Sequence, residues 1–174
     1  MTAAHKIDQP EHVVESGLER DDRKELCEML GQALASTYVL YHKTHAYHWN
    51  VTGPLFYSVH NLTEEQYQDM ATAIDALAER IRSLGFAAPV GLAGYVEQST
   101  IKDVTGTPDA GTMLKELALD NQHIARSMRP IVEKAEEIGD TFTADFITDR
   151  IGTHEEFGWM LSALAMGDDR APTP

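Results

Sequence analysis

From Asp21 onward, small and apolar residues recur at Leu26, Leu30, Ala33, Thr37, Leu40, Thr44 and Tyr47, with spacings that alternate between four and three. That alternation predicts a long helix packed along another at a shallow angle. Asp21 and Asp22 suit the positive end of its dipole. A second helix is expected to start with Pro54 at its first position, after the break at Gly53, and to end at Gly85; Tyr67, Met70, Ile74 and Leu77 are its apolar positions. Residues 85–107 are rich in Gly, Ala, Pro and Val, and they are too many for a turn between neighbouring helices. They read as a crossover, with a short helix near 94–100. Pro108 and Asp109 open a third long helix with Met113, Leu114, Leu117, Ile124, Met128 and Ile131 on its inner side, a kink expected at Pro130 and a stop at Gly139. A fourth begins near Thr141 and carries Phe142, Phe146, Ile151, Phe157, Met160, Leu161 and Leu164. The pattern predicts an all-α chain: an extended tail over 1–20, a four-helix bundle over 21–167 with one long crossover carrying a short helix, and a short tail over 168–174.

The 43% hydrophobic content is that of a globular domain. The charge changes the picture more. With 28 acidic against 14 basic side chains, the formal charge of −14 opposes sequence-independent nucleic-acid binding, which needs Lys and Arg against phosphates, and favours attraction of cations. The first twenty residues hold no apolar run long enough for a signal peptide or a membrane span, so a cytoplasmic location is expected. His5 and His12 in that tail leave a weak metal contact open beside the plainer reading of solvated histidines. The single Cys27 excludes an intrachain disulfide and reads as a small buried filler.

The candidate chemistry lies on the second helix. His60 and Glu64 are four apart, as are Asp75 and Glu79, so each pair shares a helix face and could grip a cation. The midpoints of the two pairs are fifteen residues apart, about 22 Å along the axis, so one helix cannot close both on one metal. Two copies packed antiparallel about a two-fold axis near Met70 would bring the His60/Glu64 end of one opposite the Asp75/Glu79 end of the other, giving two identical sites. Imidazole with carboxylate suits iron, manganese or zinc. His48 is a third donor from the same end as His60. His42 and His45, three apart with no acid nearby, read as surface or interface histidines.

The run His48-Trp49-Asn50-Val51-Thr52-Gly53, with His60, Glu64, Asp75 and Glu79 following His48 by 12, 16, 27 and 31 residues, resembles the Dps family of mini-ferritins over about residues 25–166. The resemblance implies a ferritin-like four-helix bundle and a ferroxidase centre between subunits, with His48, His60 and Glu64 of one chain facing Asp75 and Glu79 of its mate. One position departs from the family pattern: Glu64 stands where an aspartate is usual, and its longer arm bears on how the second iron is held.

The resemblance further implies oxidation of Fe(II), preferably by hydrogen peroxide, at a di-iron site, with storage of ferric mineral in a hollow dodecamer. Trp49 would then intercept stray oxidising equivalents, or plug the dimer interface as an aromatic. Asp140, Asp145 and Asp149 are candidates for an acidic pore, with helix N-terminal charge complementarity as the plainer alternative. Glu65 and Asp69 are possible nucleation sites for mineral. No Glu is followed three residues later by His, so the intrachain di-iron signature is missing, and HExxH is missing too. The alternative reading is a structural or nucleoid-associated shell that protects DNA with little iron chemistry; an acidic chain without a lysine-rich tail argues against DNA binding.

Overall fold

A computed structural model of the chain describes residues 13–166. The tail histidines His5 and His12, and the tail after Met166, lie outside the described residues. Five helices follow in order: α1 (Arg20–Asn50), α2 (Phe56–Ser83), α3 (Leu92–Gln98), α4 (Ala110–Glu137) and α5 (Thr141–Ala165). No strand occurs among the described residues, and the all-α expectation holds. α1 packs on α2 and α4 on α5 as two hairpins, and the crossover carrying α3 lies along α1 and joins them.

All seven positions of the α1 stripe are buried, as are the six inner positions of α4. Side-chain caps fix where the second hairpin starts and turns. Asp109 accepts from the Thr112 amide at 3.0 Å and its hydroxyl at 2.7 Å, and Asp140 does the same for Thr143 at 3.1 and 2.7 Å. Gly85 and Gly139 leave α2 and α4 at φ 97° and 79°, a region in which a side chain would be strained.

Two expectations are corrected. Pro54 is not the first residue of α2: it sits in the turn closed by the Phe56 amide donating to the Gly53 carbonyl at 3.0 Å, and the helix begins at Phe56. Phe142 is not a core residue but 66% exposed. The neighbouring Thr143 occupies the inward face, so Phe142 turns outward, stacks on Phe146 and lies 5.0 Å below the Arg80 guanidinium. Pro130 lies within α4 at an exposed position, and the helix continues past it to Glu137.

Candidate metal centre

The turn over residues 51–55 reverses the chain between the last turn of α1 and the first turn of α2, which brings His48 and His60 together. Their rings stack at 3.8 Å with 17° between planes. His48 Nδ1 donates to the His60 carbonyl at 2.8 Å, and His60 Nδ1 donates to the His48 carbonyl at 3.0 Å. A carbonyl only accepts, so both Nδ1 atoms carry a proton, and in the neutral ring it is Nε2 that bears the lone pair. A hydrogen bond from the far ring nitrogen is how a metal-ligating imidazole is oriented. Here each histidine supplies the other's support.

Rings pack around this clasp. Phe56 stacks on His60 at 5.0 Å, Tyr67 meets His48 edge-on at 5.2 Å and stacks on His45 at 4.1 Å, and Trp49 leans on His45 at 4.1 Å. His48 is buried, whereas Trp49 is 61% exposed and turned away from the clasp. Burial lowers the basicity of His45, with the neighbouring His48 and His42 acting the same way. His42 is exposed.

Glu64, half-buried one turn beyond His60, receives only long hydrogen bonds, from Tyr67 at 3.5 Å and Gln68 at 3.3 Å. Its carboxylate is therefore largely uncommitted. Asp75 and Glu79 are exposed further along α2. The structure thus gathers His48, His60 and Glu64 at one end of the hairpin and leaves the two acids apart from them. Among the described residues, no three His, Cys, Asp or Glu side chains of one chain converge on a common point.

The three pore candidates divide. Asp145 and Asp149 are exposed on α5. Asp140 is buried, caps α5 and receives Arg80 at 2.6 Å. Burial works to raise its pKa, but the hydrogen bonds from Thr143 and Arg80 outweigh burial and hold it below the usual carboxylate range. Of the nucleation candidates, Glu65 is exposed, while Asp69 is gripped by both terminal nitrogens of Arg150 at 3.1 and 2.7 Å.

Sequence reasoning passed over His154, which is fully buried on α5 and donates from Nδ1 to Asn121 at 2.8 Å. Burial, with Arg150 nearby, lowers its pKa to about 3. The available signal was its place three residues after Ile151 and three before Phe157, on the apolar stripe of α5.

The chain matches the ferritin-like domain family over residues 27–170. Within that class, the chain belongs to the Dps family. It is 35% identical to the DNA protection during starvation protein of Brevibacillus brevis, over 78% of this chain and 91% of that one. An uncharacterized low temperature-induced protein of Nostoc sp. is 39% identical over 90% of this chain and 88% of its own length. Among solved structures, the Dps protein of Vibrio cholerae O1, described as a member of a broad superfamily of ferritin-like diiron-carboxylate proteins, superposes with a TM-score of 0.82 at 33% identity, covering 87% of this chain and 95% of that one.

Proposed function

We propose that the protein is an iron-storing ferroxidase whose site is completed between two subunits. The observation that carries this reading is the clasp: two imidazoles, each fixed in the tautomer that frees Nε2, lie one helical turn from the largely uncommitted Glu64, and among the described residues no three His, Cys, Asp or Glu side chains of one chain converge to hold a metal. Two neutral donors and one anion poorly neutralise a pair of divalent ions. A two-fold axis near the middle of α2 would supply the missing charge from Asp75 and Glu79 of the mate, twice per dimer. The membership of a relative in the diiron-carboxylate superfamily agrees with that donor set.

In this reading Fe(II) is the substrate. Asp75 and Glu79 hold the better-bound ion together with His48 across the interface, while His60 and Glu64 hold the second. Two Fe(II) ions surrender one electron each, and hydrogen peroxide takes both with two protons to give two waters. Delivery of electrons in pairs avoids the hydroxyl radical that single-electron transfer releases. The ferric product is stored as mineral in a hollow shell, for which we propose twelve subunits. Asp145 and Asp149 remain for cation passage, while Asp140 secures the start of their helix. A cytoplasmic setting fits, and no helix among the described residues is long and apolar enough to cross a membrane.

The test is to load the purified protein with Fe(II) under anaerobic conditions, add hydrogen peroxide, and follow ferric absorbance together with the iron that co-elutes with protein. Fast oxidation with iron retained in the particle is expected; slow oxidation with iron precipitating outside would sink the proposal. The names of relatives such as that of B. brevis raise DNA protection as a second reading. The formal charge of −14 opposes it, and a mobility shift of DNA at moderate salt would reinstate it.

A further inference from the structure

Six side-chain atoms of the described residues are buried without a hydrogen-bond partner: Thr44 Oγ1, both ends of the Gln66 amide, His123 Nε2, Arg150 Nε and His154 Nε2. They come from all four long helices, and contacts between those helices place Thr44, Gln66 and His154 at one level of the bundle with Asn121. Lys43 meets Asp120 at 2.9 Å, which sets Thr44 of α1 at the height of Asn121 of α4. His45 stacks on Tyr67 at 4.1 Å, which sets Thr44 at the height of Gln66 of α2. Asp69 meets Arg150 at 2.7 Å and Arg80 meets Asp140 at 2.6 Å, so α2 and α5 are antiparallel; one turn back from Asp69 is Gln66, and one turn on from Arg150 is His154. His154 bonds to Asn121 and closes the ring. Thr44, Gln66, Asn121 and His154 are all fully buried.

The protons in this layer can be assigned. Asn121 Nδ2 donates to the Leu117 carbonyl at 2.8 Å, so its Oδ1 faces His154 and accepts from Nδ1. His154 Nε2 is then a bare acceptor. Gln66 contributes two donors and an acceptor, and Thr44 a hydroxyl that serves as either. Donors and acceptors are mixed and none of the four carries a charge. A cation is disfavoured there: the layer offers no carboxylate, and the Arg150 guanidinium is one turn away. Polar atoms left dry at such a site are costly, and water satisfies both kinds.

We propose that the centre of each subunit's bundle holds a short row of ordered water molecules, bound by His154, Gln66 and Thr44. The row runs between the pair of partly exposed Asp69 with buried Arg150 on the α2/α5 flank and the Lys43–Asp120 pair on the α1/α4 flank, where a pocket of about 530 Å³ is lined by Lys43, Asp120 and His123. Because water donates and accepts, this row gives protons a hydrogen-bonded path across the subunit. The inference is independent of the ferroxidase reading.

Two measurements test it. A high-resolution crystal structure of the intact protein is expected to show water within hydrogen-bond distance of His154 Nε2 and of Gln66. A direct Gln66–His154 hydrogen bond, an empty gap or an anomalous metal peak there would overturn the proposal. In solution the sign of a stability change decides. Thr44→Val keeps the shape and removes the hydroxyl; if waters bond to that hydroxyl, the melting temperature falls by a few degrees, whereas at a dry layer loss of an orphaned group leaves it unchanged or raises it. Gln66→Met repeats the test on another helix, and the same drop is expected.

Discussion

His48 and His60 at the end of the first hairpin, and His154 at the centre of the bundle, share one arrangement: Nδ1 donates to an oxygen and Nε2 is the ring nitrogen left over. They differ in what surrounds the lone pair. At the hairpin end, Glu64 is uncommitted and the same helix bears two exposed acids that a second subunit can present. At the centre, the surroundings are an amide, a hydroxyl and, one turn off, a guanidinium. If the hairpin end is the metal site we propose, a free imidazole nitrogen is not enough to define one; anionic charge and access decide. The absence of a Glu-x-x-His pair and the neutral bundle centre are the sequence and structural sides of the same fact.

The largest effect should come from removing the anions on which this contrast rests. Asp75→Ala with Glu79→Ala is expected to slow rapid Fe(II) oxidation by on the order of 100-fold or more, since even outer partners of a metal site are worth about 10–100-fold. Circular dichroism should show the helical content intact, because both side chains are exposed. Oxidation kinetics like those of the parent protein would place the centre elsewhere. The carboxylates offer the same contrast in reverse: Asp140 is buried and already neutralised by Arg80. Arg80→Ala leaves that charge unpaired and should cost about 3 kcal/mol in chemical denaturation; a change within error would show that solvent reaches Asp140.

A gentler probe is pH. The unfolded chain protonates His154 near its ordinary value of 6.5, whereas the folded protein resists until about 3. The unfolded state therefore binds more protons over that interval, and stability falls as pH drops from 6.5 toward 3. A His154→Gln variant should show a shallower decline over the same range; parallel curves would mean that this histidine is not held neutral. Smallest of all, Asp109→Ala removes an exposed cap from α4 and should lower stability in thermal or chemical unfolding by less than the Arg80 change does. A much larger loss would mean that the crossover is coupled to the bundle through that turn.

Much of this architecture can be read from local pattern. The α1 stripe, the Asp109 cap and the glycine stops are decided by neighbours in sequence, and the short crossover helix, expected near 94–100, forms at Leu92–Gln98. The clasp was legible in part: spacing places His48 and His60 at the same end, but their exchange of carbonyl hydrogen bonds depends on the geometry of the turn. Long-range partners were not legible. Asp140 reads as an exposed acid at a helix start until Arg80, sixty residues away, draws it inward. Thr44 reads as a small filler in an apolar stripe, and nothing near Gln66 in sequence announces that three other helices bring polar groups to its level. Phe142 misleads because an aromatic near a helix start looks like core, while the cap has already assigned the inward face to Thr143.

The clasp also has a consequence for the life history of a single chain. His48 and His60 are separated by one tight turn, so their half of the donor set is finished as soon as the first hairpin folds. The acids that complete the proposed centre belong to another molecule and arrive only by association, whose extent depends on protomer concentration. A freshly made or diluted chain then carries a prepared but incomplete site, and becomes competent for the proposed redox chemistry only when a second subunit has docked.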